Sequence, residues 1–139
     1  MTVEADAAAG FRTGMIDSLL REIAHHLDVL ANTGACAAID LCSLPLTVAD
    51  RSELEERLGH GDLEAVLTAA GISEIWETRY AGVWWVRHLG AGDKLAAERI
   101  EITASPEILT SHAADIAAAS NKLSEDLIDR ASSEDAEDA

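Results

Sequence analysis

Two cysteines, five histidines and one cluster of aromatic residues with arginine are the side chains of this sequence whose types can do chemistry. Cys36 and Cys42 have five residues between them rather than two, so they do not form the dithiol motif in which one thiolate attacks and its neighbour resolves. If the apolar run 35–42 is one strand, six residues span roughly 20 Å, which is beyond disulfide reach. Even spacing then puts both thiols on one face, as small buried apolar groups. His25, His26, His60, His88 and His112 fall on separate elements without ligand spacing. Adjacent His25 and His26 cannot turn both rings to one helix face. The expectation is no metal site and no bound cofactor.

Other catalytic patterns are missing as well. Gly90-Ala-Gly92 lacks the lysine and the following helix of a phosphate cradle, and Ser43 sits in Leu-Cys-Ser-Leu-Pro rather than in a nucleophile elbow. Abundant carboxylates on an acidic chain read as a solvated surface. No catalytic residue is assigned, and an enzyme is not expected.

The aromatic cluster is more informative. Trp76, Tyr80, Trp84 and Trp85 are four of the five aromatic residues, and all lie within ten positions. β-branched and aromatic residues around Ala81-Gly82 and Gly90-Ala-Gly92-Asp93 predict a three-strand antiparallel meander over residues 73–102. With a two-residue loop at Ala81-Gly82, Tyr80 faces Val83, Thr78 faces Trp85 and Trp76 faces Arg87 on one side of the sheet. Arg79 with Trp84, Glu77 with Val86 and Ile75 with His88 then occupy the other side, so Trp84 and Trp85 point oppositely. One of these two Trp residues belongs to the core. The other calls either for a partner surface made of Trp76, Tyr80, Trp85 and Arg87, or for a stack of Trp76 and Trp85 with Arg87 under a covering loop.

The elements that position this cluster follow from periodicity. Ile16, Leu19, Leu20, Ile23, Leu27 and Leu30 predict a helix over about 14–31, stopped by Asn32-Thr33-Gly34. Residues 35–42 read as a buried strand. Asp50 and Glu53 predict the start of a short helix over 51–58, with Leu54 and Leu58 inward and Gly59 after its end. His60 between two glycines reads as an exposed turn residue. The alternation at 63–68 fits a strand or a helix start, and the glycine-rich turn before it favours the strand. Ser105-Pro106-Glu107 predicts a helix opening, and Ser111 a cap for a longer helix along Ile116, Ala119, Leu123 and Leu127. Residues 1–12 and 131–139 read as a flexible acidic terminus and a disordered acidic tail around one domain, 13–130. The predicted fold is α+β, a two-layer sandwich: a mostly antiparallel sheet with a central meander and helices on one face.

At 139 residues the chain is long enough for a real core. Ten basic against 26 acidic residues give a formal charge of -16, which repels nucleic acid and anionic membranes and is compatible with a basic partner. There is no apolar run of membrane-spanning length, and the acidic first ten residues are no secretory signal, so the expected location is the cytoplasm. Edge strands of the meander are open to pairing between two copies, which would give a homodimer.

Ile39-Asp40-Leu41 with Ser43-Leu44-Pro45, Leu58-Gly59-x-Gly61, Glu77-Thr78 leading to Gly82-Val83-Trp84-Trp85-Val86, and Pro106-Glu107-Ile108-Leu109 occur here in fixed order. In that order and spacing the sequence, over about residues 14–120, resembles the HupH/HyaF family of hydrogenase expression/formation proteins, in particular their C-terminal domain. The resemblance implies an accessory role in maturing nickel-iron uptake hydrogenases, as a chaperone or scaffold for the iron-sulfur small subunit alongside other maturation proteins. The alternative is a metal or iron-sulfur cluster carrier in the same pathway, using Cys36, Cys42 and some histidines. The family brings no catalytic residues to carry over. Longer members have additional sequence before this domain, and Arg is common in the family at the position of Cys42.

Overall fold

The computed structural model describes residues 11–138 and divides at Pro106 into two compact units. The expected domain over 13–130 runs through both units, and of the flexible segment expected over 1–12, residues 1–10 lie outside the described residues.

The first unit is an α+β sandwich. Helix α1 (Met15–Thr33) is followed by β1 (Ala37–Asp40), a single 3-10 turn (Leu41–Ser43) and α2 (Val48–Leu58). Strands β2 (Glu64–Leu67), β3 (Ile72–Glu77), β4 (Val83–Leu89) and β5 (Leu95–Ile102) complete it. All neighbours are antiparallel, in the order β1-β5-β4-β3-β2. The meander β3 to β5 is therefore interior, and the sheet's edges are β1 and β2 rather than meander strands. Any edge-to-edge pairing of copies would have to use those two.

The helices cover one sheet face. Ile16, Leu19 and Ile23 of α1 and Leu54 and Leu58 of α2 pack into one buried cluster with Ile39, Trp76, Val83, Trp85, Ile100 and Ile102. Cross-strand register sets these last residues in rows, Ile39, Ile100, Trp85 and Trp76 along one and Val83 with Ile102 beside it. Ile75, Val86 and Trp84 on the opposite face are buried too, and the Trp84 indole donates to the Thr103 carbonyl, 3.1 Å away.

Four local readings change. The β3–β4 connection takes five residues, because Val83 O accepts from both Thr78 N–H and Thr78 Oγ1, so Trp76 faces Trp85 and Glu74 faces Arg87. The slip from the expected register is two residues, so the face of every side chain is preserved. Both thiols are exposed rather than buried. Cys36 precedes β1, and Asp40 accepts from Cys42 N–H to start the 3-10 turn that ends the strand. α2 opens at Thr47, not Asp50: Thr47 Oγ1 and the Asp50 carboxylate form a reciprocal capping box.

The second unit holds a 3-10 turn (Glu107–Leu109), where a helix start was expected, and α3 (Ala113–Asp138). The tail expected to be disordered from 131 continues this helix. Ala131 and Ala136 are strong helix formers, and Arg130 pairs with Glu134 one turn on, at 3.5 Å.

Asp50 joins the starts of the two helices of the first unit. Fully buried, it accepts from Thr13 N–H (2.9 Å), Thr13 Oγ1 (2.8 Å) and Thr47 N–H (3.2 Å). Burial alone would raise its pKa, but the hydrogen bonds from Thr13 and Thr47 outweigh burial and hold it below the ordinary 3.8. A depressed carboxylate stabilises the fold fully above its unfolded value and loses that contribution as pH falls through the lower folded value. Asp50→Ala is therefore expected to cost about 2–4 kcal/mol in neutral urea titrations. The gap between the two proteins should narrow as pH drops below 3.8.

Candidate functional site

Glycine at 61 fixes the first part of the site. A Cβ there would sit 2.7 Å from the Thr78 carbonyl oxygen, and Gly61 N–H donates to Glu77 O at 2.7 Å. Only a residue without a side chain lets the loop after α2 pass this close to β3. The passage lays the His60 ring flat on Trp76, with centroids 4.8 Å apart and planes 10° apart. Trp76 stacks in turn on Trp85 at 5.5 Å and 8°. His60, read from sequence as a bare turn residue, is thus half-exposed but structural, and it also pairs with Glu55 at 3.5 Å.

Arg87 lies over both indoles, 5.1 Å from the Trp76 centroid and 5.9 Å from that of Trp85. Its Nε donates to Glu98 Oε2 at 2.8 Å, and its Nη2 stands 3.6 Å from Glu55. Glu98 is buried, and its carboxylate also accepts from Trp85 Nε1 (3.0 Å) and from Arg51 of α2. Burial would lower the Arg87 pKa, but the hydrogen bond and charge of Glu98, with Glu55 and Glu74, raise it. Arg51, Ser52, Glu55, Arg87, Asp93 and Glu98 line an open cleft of about 340 Å³. Its cations are spent on its own carboxylates, so it acts as a polar clamp between α2 and the sheet.

The sequence-stated partner set Trp76, Tyr80, Trp85 and Arg87 therefore separates. Trp76 is 2% and Trp85 1% exposed, because both helices close over their face; the stack with Arg87 under a covering loop is the arrangement found. Tyr80 alone of the four is open, at 51% exposure. It stands at the mouth of an apolar groove of about 260 Å³ formed with Leu20, Ile23, Ala24, Leu27, Arg57, Leu58 and Val83. Two features hold this mouth: Gly82, read from sequence as a turn residue, and a contact made by Arg79 that sequence reading missed. Gly82, at φ 88°, turns the chain where a Cβ would approach Leu27 to 3.2 Å. Arg79 donates to the Glu56 and Arg57 carbonyls at 3.1 and 2.8 Å, placing a cation on the C-terminal end of α2. The Arg79 contact carries no local signal, since it answers to a helix distant in sequence.

The first unit is thus a small antiparallel α+β sandwich with an internal polar clamp and an open apolar groove. Residues 16–129 match the family described as HupH hydrogenase expression protein, C-terminal conserved region, and the chain belongs to that family. The chain is also similar to the solved structure of the hydrogenase expression protein HupH from Thiobacillus denitrificans ATCC 25259. The two share 40% identity at a TM-score of 0.82, over 86% of this chain and 99% of that one. Among curated proteins it is 31% identical over 88 residues to the hydrogenase expression/formation protein HoxQ of Azotobacter vinelandii. It is 30% identical over 87 residues to HupQ of Azotobacter chroococcum mcd 1. Each match covers 63% of this chain and 31% of the relative, so the aligned part spans about a third of those proteins.

Removing Glu98 as an acceptor leaves two guanidinium groups and a buried indole N–H without their partner. Glu98→Ala is expected to cost about 3–5 kcal/mol in denaturant unfolding, with a shift in tryptophan emission; wild-type stability in that variant would show the clamp to be dispensable. Cys36 and Cys42, both exposed, should react with a maleimide in the native protein as completely as in the unfolded one.

Proposed function

We propose that this chain is an accessory protein of nickel-iron hydrogenase maturation, acting in the cytoplasm as a non-catalytic chaperone or scaffold for the iron-sulfur small subunit. The observation that carries this reading is the open apolar groove beside Tyr80, in a chain whose relatives are named hydrogenase expression proteins. An unfinished subunit presents apolar side chains that its final assembly buries. The groove offers them a preformed apolar lining, with the Tyr80 ring as an anchor of low entropic cost and the Arg57 guanidinium at its rim. Of the four aromatic and arginine residues singled out by sequence, Tyr80 makes the contact. Trp76, Trp85 and Arg87 support it from beneath by keeping α2 on the sheet.

The two exposed thiols are what favours a second reading, a metal or iron-sulfur cluster carrier in the same pathway. Among the described residues no three Cys, His, Asp or Glu side chains come together to hold a metal ion. A carrier would therefore need ligands from its client. Membrane insertion has no support, since no described helix is long and apolar enough to cross a bilayer.

Co-purification from cells expressing a nickel-iron hydrogenase separates the two readings. Tyr80→Ala and the groove-filling Ala24→Trp should each reduce recovery of the small subunit about tenfold, the loss of one buried aromatic anchor, with thermal stability little changed. Cys36→Ser with Cys42→Ser should recover it fully. The reverse pattern would favour the carrier, and undiminished recovery with both groove variants would sink the chaperone surface.

A further inference from the structure

We infer that α3 is a docking helix for a cationic amphipathic segment of a partner protein, gripping it through an apolar face along Ile116, Leu123 and Leu127 and through its acidic C-terminal half. This surface shares no residue with the Tyr80 groove, and the inference stands whichever client that groove takes.

The first observation is the apolar face. At 100° per residue, Ile116, Ser120, Leu123 and Leu127 fall within about 60° of one another on the helix, with Ala113 and Ala131 beside them. Ile116, Leu123, Leu127 and Ile128 are 58–65% exposed. A 26-residue helix that buries none of these is far from the amphipathic helices that tertiary packing normally holds.

The second observation is independent of the first and concerns charge. Residues 113–124 carry one acid, Asp115, and one base, Lys122. Residues 125–138 carry seven acids against Arg130 alone. Among the described residues the ion pairs of this helix are Lys122 with Asp126 at 3.4 Å and Arg130 with Glu134 at 3.5 Å. The last turn has no basic residue, although a helix C-terminus carries about half a negative charge of its own. Asp135 therefore stands where a carboxylate is least favourable and an external cation most so, one residue past Glu134, whose charge Arg130 already meets.

Together these choose the occupant. A second copy of α3, packed antiparallel on the same face, would set Leu127 against Ile116 and leave the acidic residues after Glu134 beyond the contact, with no base from that copy to neutralise them. A parallel copy would bring the two acidic halves together. Anionic lipid and nucleic acid are repelled. A segment with apolar residues at helical spacing and Lys or Arg along its flank covers the apolar face and neutralises the acidic end at once.

The test titrates the full chain against three labelled synthetic peptides of about 20 residues, enough for several helical turns. One is a Leu/Lys amphipathic helix, the second the same composition scrambled, and the third a Leu/Glu amphipathic helix. The Leu/Lys helix alone should bind. Its affinity should fall about tenfold or more in the variant with Leu123→Ser and Leu127→Ser, as two buried leucines are lost. It should also fall with Glu134→Gln and Asp135→Asn, and between about 0.05 and about 0.3 M salt. Far-UV circular dichroism checks that each variant stays helical, and the charge variants leave the apolar face intact. Equal binding of the scrambled peptide would reduce the effect to bulk charge and overturn the inference. So would unchanged affinity in the serine variant. A wild-type dimer by sedimentation, dispersed by the serine substitutions and unable to take up peptide, would assign the face to a second copy instead. A lowered thermal midpoint in the serine variant with peptide binding unaltered would assign it to the chain's own interior.

Discussion

A carboxylate buried where α2 meets the sheet is tolerable only when its oxygens are met by donors, and Glu98 meets that condition with Arg51, Arg87 and the Trp85 indole. Arg51 comes from the helix; Arg87 and Trp85 come from the strand beside Glu98. The ionised group therefore cannot keep its partners unless α2 lies against this part of the sheet. Arg87 extends the constraint outward, since the guanidinium that bonds Glu98 also covers the two stacked indoles. His60 closes the stack from the other side. Apolar burial supplies the larger share of the driving force, but it is non-directional, and this clamp selects one seating of the helix among several greasy ones.

From that seating the open groove follows. α2 is fixed in position by Glu98, at its N-terminal end by the Thr13–Asp50–Thr47 network and at its C-terminal end by Arg79. α1 is tied to the same Asp50 through Thr13 and packs Ile16, Leu19 and Ile23 inward. The two helices and the Thr78–Gly82 turn then leave an apolar recess that no side chain of the described unit fills, with Tyr80 at its mouth. A surface of this kind keeps its shape without a client, which limits the ordering cost of binding.

The two units have opposite physical characters. The first, up to Pro106, spends Arg51 and Arg87 on the buried Glu98 and Arg79 on the end of α2, and hides its indoles. The second carries an exposed apolar face and a strongly acidic helix end. Membership in the family of the HupH C-terminal conserved region rests on both, since the matched residues 16–129 run from α1 well into α3.

Much of this was legible in the chain itself. Helical spacing located α1 and the core of α3, alternation and turn glycines located the meander, and parity alone sorted Trp76 and Trp85 from Trp84. Parity is a local property of a strand, so it survived even the two-residue slip of the hairpin. Motif order gave the family. Exposure and partnership were not legible, because they are set by elements distant in sequence. Tertiary packing decided that Trp76 and Trp85 lie under the helices while Tyr80 stays open, and that His60 stacks because Gly61 passes the Thr78 carbonyl. It also left Cys36 and Cys42 outside, because β1 begins only after Cys36 and Asp40 opens a 3-10 turn two residues before the end of the apolar run. The sequence by itself determined which residues share a face; only the folded chain decided which faces are covered, since covering a face takes a second element whose position no local pattern encodes.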